Sequence, residues 1–193
     1  MTDDLTQHMH TAAASRATMW EWCARILSRP TPDLVTELRE GILADELVEH
    51  TQWLGESVDV SGLEATLRAH VRRSANRSEA DDLADLEHDW QQHPADELAA
   101  WCEGASEAAA EEARLWRDGE MAQARASRAE QHQALGPHVD ALTKWCVRTH
   151  SETQVLVMKV LAEIVALHIG VEAGRDVRGL LDEDPKRRFL LGG

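Results

Sequence analysis

The chain has 193 residues, enough for one domain with a sizeable hydrophobic core. Hydrophobic residues make up 43% and charged residues 28%, values typical of a globular protein, which excludes wholesale disorder. The formal net charge of -15 argues against a general nucleic-acid binder, because such proteins need a basic face, and it disfavours binding to anionic lipid. Negative charge attracts a basic partner but also keeps a surface solvated, and both interpretations stay open.

The sequence predicts an all-α protein. Alanine, leucine, glutamate and arginine, all strong helix formers, dominate the chain, and it has no alternating strand pattern that would flank a hairpin turn. We expect a compact multi-helix bundle forming a single domain over residues 1–193, with a hinge near 91–120 and a polar C-terminal tail over 175–193.

The first helix is predicted over residues 11–28, with one apolar face, and the segment 29–32 ends it. Pro32 then suits the first position of a second helix, with Thr31 as its cap, because a proline lacks only an N–H that would be unpaired there. We expect this helix to break near Gly41.

Two capping boxes, in which a serine precedes an acceptor side chain by three residues, predict later helix starts at Ser61 and Ser151, and the segment 78–81 predicts a further helix start at Ser78. A further helix is predicted over 96–116. Another, over 120–135, should end at Gly136 and Pro137, and a separate helix should follow over 137–149.

The segment 155–169 is apolar on most sides, so we expect it to form the central, most buried helix and to end at Gly170 or Gly174. It contains Lys159 and Glu163 and is too short to span a bilayer, so no stable membrane insertion is expected. The N-terminus lacks the basic and apolar regions of a secretory signal. These features predict a cytoplasmic protein.

No catalytic, metal or cofactor motif is found. The chain has ten histidines, but none has a glutamate three positions before it, and the His-Glu-x-x-His pattern is absent. Phosphate-binding glycine loops and the Gly-x-Ser-x-Gly elbow are also absent. We therefore expect a protein that is not an enzyme and holds neither metal nor cofactor. Three scattered cysteines fit buried, inert thiols: Cys23, Cys102 and Cys146.

The aromatic composition is unusual, with seven tryptophans, one phenylalanine and no tyrosine. Tryptophan fills cores, and it also lines grooves that bind peptides. Trp22, Trp101 and Trp145 lie on apolar stripes and are predicted to be core. Trp53 and Trp90 lie at predicted helix ends beside carboxylates, where an indole and an acid together could bind an arginine, although for either residue alone a partly buried rim position is the favoured explanation.

Several segments resemble the TorD/DmsD/NarJ family of cytoplasmic chaperones for molybdoenzyme maturation. Residues 16–30 are similar to the family's opening helix of an arginine, aromatics and a leucine-rich turn before a proline. Residues 86–90 are similar to its leucine, acid and aromatic segment, and 131–145 to the stretch in which a histidine precedes a tryptophan. The apolar helix over 155–169 matches the family's late buried helix.

This resemblance implies a chaperone that binds the twin-arginine leader, or a related N-terminal segment, of the catalytic subunit of a molybdopterin oxidoreductase of the DMSO, TMAO or nitrate reductase type. It would act before cofactor insertion and export, as a monomer or a domain-swapped dimer. The positions that match predict the peptide-binding residues: Asp89, Trp90, His138, Trp145 and Trp20.

Other interpretations remain. A helical adaptor or sensor that binds an amphipathic partner segment is the first alternative, and a metal-bound or enzymatic helical protein is the second. The tail segment 187–191 reads like a truncated twin-arginine motif. It either packs on the bundle or competes with a leader for the binding groove.

Overall fold

The chain is helical throughout the part that the computed structural model describes, residues 2–53 and 59–181. Within those ranges it forms eight α-helices and no strand, which confirms the all-α prediction. A short 3-10 helix, Arg178–Leu181, follows the last of them. The helices are α1 (Thr2–Leu27), α2 (Pro32–Glu40), α3 (Ile42–Thr51), α4 (Ser61–Ser74), α5 (Glu79–Gln92), α6 (Asp96–Arg117), α7 (Met121–Glu152) and α8 (Leu156–Ala173).

Local signals set several of the helix ends as predicted. The Thr31 hydroxyl accepts a hydrogen bond from the Leu34 N–H at 3.3 Å, and Ser78 caps α5 by accepting from the Asp81 N–H at 3.1 Å. Gly41 separates α2 from α3 with a φ of +82°, a conformation that favours glycine. Gly174, with a φ of +63°, ends α8.

Neither predicted capping box forms its capping hydrogen bonds, although α4 begins at Ser61 as predicted. Ser61 is the first residue of α4, and its hydroxyl donates instead to Asp59 at 2.7 Å. Ser151 lies in the last turn of α7 and donates to the Arg148 carbonyl at 3.1 Å. The pattern of a serine and a later acceptor is therefore compatible with positions inside a helix, where the hydroxyl bonds locally.

The predicted break at Gly136 and Pro137 is also wrong, because α7 runs through both residues. Its buried residues continue at helical spacing across the proline: Leu135, Val139, Leu142 and Cys146. This stripe packs along α8 and α6. Burial on both sides of Pro137 offsets the one backbone hydrogen bond that proline removes.

Helix α1 begins well before the predicted residue 11 because its first half packs on a second, smaller core. This cluster joins Ala13 of α1 to Trp116 of α6 and Ala124 of α7, and Met9 packs against it. As a result, α1 lies along α6 over most of its length.

The main core draws residues from every described helix, and α8 is its centre, as predicted. Twelve of the 18 residues of α8 are buried. Residues that follow α8 also pack into this core, among them Val177 and Leu181, so the polar tail begins later than 175. The tail motif over 187–191 lies outside the described residues. None of the helices in those described ranges is both long and apolar enough to cross a bilayer.

Candidate functional site

A half-open cavity of about 300 Å³ lies where α1, α6 and α7 meet. We call it the tryptophan cavity, because Trp20 of α1 and Trp101 of α6 form two of its walls. Helix α7 contributes Gln131 and Leu135, and α8 contributes Glu172. The lining is largely apolar with a few polar groups, which is the usual character of a ligand site.

Small residues on α6 create this space. Ala100, Gly104, Ala105 and Ala108 recur at helical spacing on the side of α6 that lines the cavity. A methyl group built on Gly104 would meet no atom within 4 Å. The volume that larger side chains would have filled is therefore open.

The aromatic walls form a corner. The ring centroids of Trp20 and Trp101 are 5.2 Å apart and their planes are perpendicular, at 90°. Trp101 also stacks on His138 of α7, with centroids 4.5 Å apart and an angle of 24°. Edge-to-face and offset-stacked contacts of this kind add stability beyond area burial and hold the rings in place.

The amide of Gln131 has a defined orientation. Its Nε2 donates to the Ala108 carbonyl at 3.1 Å, to a Glu112 carboxylate oxygen at 3.2 Å and to the Ser127 hydroxyl at 3.2 Å. A carbonyl and a carboxylate only accept hydrogen bonds, so the nitrogen must face them. The side-chain oxygen of Gln131 is thereby left as an acceptor.

Glu172 supplies a carboxylate that is 5% exposed. Arg128 donates to its two oxygens at 2.7 Å and 3.3 Å. Burial alone would raise the pKa of Glu172, but His168 and Arg128 outweigh that effect and hold the pKa below its usual value. Glu172 is therefore ionised at neutral pH.

His168 lies one turn before Glu172 and is completely buried. Its ring contacts Trp20 edge-on, with centroids 4.3 Å apart, and neither ring nitrogen has a hydrogen-bond partner. Burial lowers the pKa of His168 to about 4, so the imidazole is neutral at pH 7.

A buried ion pair connects the helices that form the cavity. Arg16 of α1 binds Glu112 of α6, whose side chain has no exposed surface. The Trp116 indole N–H also donates to Glu112, at 3.1 Å. Together with Gln131, these contacts connect α1, α6 and α7 around the cavity.

Two of the five predicted peptide-binding residues lie at the tryptophan cavity. Trp20 lines the tryptophan cavity, and His138 stacks on its other wall. Asp89, Trp90 and Trp145 lie elsewhere, around the end of α5.

The contacts around α5 occupy the two indole N–H groups and one carboxylate oxygen of Asp89. The Trp90 indole N–H donates to the Leu27 carbonyl at 3.1 Å, and that of Trp145 donates to the His93 carbonyl at 3.0 Å. Asp89 is 7% exposed and accepts a hydrogen bond from the Thr153 hydroxyl. Burial raises the pKa of Asp89. Peptide binding at these three residues stays a prediction.

Sequence reasoning missed three contributors to the cavity: Trp101, which it assigned to the core, Gln131 and Glu172. Trp22 and Trp145 are core as predicted, whereas Trp101 is only half-buried. The recurrence of alanine and glycine beside Trp101 on one side of α6 was the signal that could have located the cavity.

A second cavity, of about 310 Å³, lies between α2, α4, α5 and the start of α8. Its polar lining includes Arg77 and Asp82, which bind each other at 2.8 Å, and Arg39 also binds Asp82, at 2.5 Å. This cavity is lined by more charged side chains than the tryptophan cavity, and Arg77 and Asp82 among them pair with each other.

Among the residues that the structure describes, no group of three or more histidine, cysteine, aspartate or glutamate side chains is arranged to hold a metal ion. No family model, curated protein or solved structure matches this chain. The family resemblance therefore depends on the sequence motifs alone.

Proposed function

We propose that the protein is a maturation chaperone for a molybdenum-cofactor oxidoreductase. It binds the twin-arginine leader, or a related N-terminal segment, of the catalytic subunit before cofactor insertion and export. The observation that carries the proposal is the tryptophan cavity, a half-open apolar space on the carboxylate-rich helix α6.

A twin-arginine leader makes two chemical demands on its receptor. Its arginines need carboxylates, which accept charge-assisted hydrogen bonds, and its hydrophobic run needs an apolar groove. The tryptophan cavity meets the second demand, with indole faces that can also stack on a guanidinium group.

We propose that exposed carboxylates of α6, the helix that lines the cavity, meet the first demand. Glu103 and Glu107 are exposed and directly precede two lining residues, Gly104 and Ala108. The net charge of -15 adds long-range attraction for a basic segment. Binding that depends on this attraction should weaken as salt is added.

The family resemblance supports the same conclusion at two positions, because Trp20 and His138 belong to matched segments and contact the cavity walls. Asp89, Trp90 and Trp145 belong to a second matched region. We propose them as an additional contact for the segment, to be tested separately.

The test is a titration of a fluorescently labelled peptide that carries two adjacent arginines followed by an apolar run. Gly104→Leu fills the cavity and should weaken binding at least ten-fold. Gly62→Leu is the matched control, because Gly62 is also helical and exposed, has no atom within 4 Å of a built methyl group, and lies on α4. Equal affinities for the two variants would remove the cavity from the binding site.

The peptide is then changed instead of the protein. Replacing both arginines by glutamine should weaken binding by a similar factor if carboxylates recognise them. Unchanged affinity would contradict leader recognition and favour the adaptor that binds an amphipathic segment.

A separate pair of variants tests the region around α5. Asp89→Ala should weaken peptide binding more than Asp140→Ala, which alters an exposed carboxylate on α7. Identical titration curves would remove Asp89 from the site and leave the cavity as the sole proposed contact.

A further inference from the structure

The polar end of the tryptophan cavity consists of hydrogen-bond acceptors. The Gln131 amide nitrogen is fully used by three acceptors, so its oxygen is the atom left to bind a ligand. Glu172 is a carboxylate with several lone-pair positions, of which Arg128 uses two. A ligand that binds here must therefore donate hydrogen bonds.

The walls favour a positive charge on that donor. Two indole rings meet at 90°, and the face of an indole attracts a cation more strongly than that of any other side chain. Glu172 adds a carboxylate to the lining, and its ion pair with Arg128 partly offsets that negative charge. His168, which is uncharged at neutral pH, adds no opposing charge behind Trp20.

The remaining lining residues favour a ligand whose uncharged part is apolar and small. Leu135 and the small residues of α6 are apolar, and the volume of about 300 Å³ lies at the lower end of ordinary small-molecule sites. Burial of an apolar body against this lining supplies the hydrophobic part of the binding free energy.

We infer that the tryptophan cavity is a binding site for a small hydrophobic cation, an aryl- or alkylammonium ion. The ammonium group donates to Glu172 and Gln131 and lies against the indole rings of Trp20 and Trp101. The ligand is a free small molecule, and its binding requires no client segment, so this inference does not depend on the chaperone proposal.

The experiment is calorimetric titration of the full chain with three probes of similar shape: 2-phenylethylammonium, 2-phenylethanol and 3-phenylpropionate. The ammonium ion should bind at least ten-fold more tightly than the neutral alcohol, and the anion should not bind. Equal affinity for the ammonium ion and the alcohol would overturn the inference, because the site would then recognise only the apolar body.

One variant and its matched control show whether the ammonium ion binds at Glu172. Glu172→Gln keeps the shape of the side chain and removes its charge, and it should weaken ammonium binding at least ten-fold. Glu40→Gln, an exposed position on α2, should leave it unchanged. Equal losses in both variants would contradict a specific role for Glu172.

Gly104→Leu adds bulk to the cavity from α6 and leaves the Glu172 and Arg128 side chains themselves unaltered, so it decides the question even if Glu172→Gln fails to fold. It should abolish ammonium binding, whereas Gly62→Leu should not. Persistent binding in Gly104→Leu would overturn the inference.

The labelled leader peptide separates the two proposals. Ammonium binding without peptide binding supports this inference and contradicts the chaperone proposal. Peptide binding without ammonium binding does the reverse. If both bind, they should compete for the cavity.

Discussion

Arg16 on α1 and Glu112 on α6 form an ion pair inside the bundle, with the Arg16 Nη2 atom 2.6 Å from both carboxylate oxygens. The two residues are 96 positions apart in the chain. Glu112 also accepts hydrogen bonds from Trp116 and Gln131, so one carboxylate satisfies donors from three helices. Removing either partner leaves the other charge buried without compensation.

We predict that Arg16→Met lowers the free energy of unfolding by about 3–5 kcal/mol, measured by urea denaturation. The double variant Arg16→Met with Glu112→Gln should lose less than the sum of the two single variants. Arg114→Met, which breaks an exposed pair with Glu111, is the control and should cost less than about 1 kcal/mol. Strict additivity in the double variant would show that the buried pair is not coupled.

His168 should make stability depend on pH. The unfolded chain binds a proton at the ordinary histidine pKa of about 6.5, but the folded protein binds it only near pH 4, because burial lowers the pKa of His168. Between these values the unfolded state holds more protons. The free energy of unfolding should therefore fall as the pH is lowered from 6.5 to 4, by up to roughly 3 kcal/mol from this residue.

Denaturation curves at several pH values check this prediction. His168→Leu should flatten the dependence between pH 6.5 and 4, whereas His132→Leu, which alters an exposed residue on α7, should not. The same slope in His168→Leu and the unaltered protein would show that other groups cause the acid sensitivity.

The buried carboxylate of Asp89 should lower the free energy of unfolding at neutral pH, where it is asked to ionise. Burial raises the pKa of Asp89 above that of the unfolded chain, so its favourable contribution is complete at low pH and is lost as the pH rises through the folded pKa. We predict that Asp89→Asn is more stable than the unaltered protein at pH 7 and that this advantage shrinks towards pH 4. A difference that does not change with pH, or that resembles that of Asp140→Asn, would contradict the prediction.

Pro137 offers a stabilising substitution, because it lies exposed inside α7 and removes one backbone hydrogen bond. Pro137→Ala should raise the free energy of unfolding by about 1–3 kcal/mol, seen as a higher Tm. Gly136→Ala, where a methyl group meets no atom within 4 Å, should add up to about 1 kcal/mol and serves as the comparison. A loss of stability in Pro137→Ala would mean that packing requires the proline.

The helices that sequence predicted well are those whose ends depend on neighbouring residues. Thr31, Ser78 and Gly174 act within a few positions, so their effect is visible in a single sequence. The continuity of α7 through Pro137 depends on packing against α8 and α6, which a local pattern does not contain.

The candidate site was less predictable because distant segments build it. Trp20 and Glu172 line the same cavity from opposite ends of the described chain, and Trp101 comes from its middle. Likewise, Asp89 is covered by Thr153, 64 residues later, so its burial could not be inferred from the acidic segment around it.

Gly41 alone joins α2 to α3, and this one-residue joint restricts how the sequence can change over evolutionary time. An insertion of one residue there would change the direction and rotation of α3 relative to α2. Leu43, Ala44 and Leu47 would then rotate away from the core. Related chains should accordingly differ in length at other connections and keep this corner at constant length.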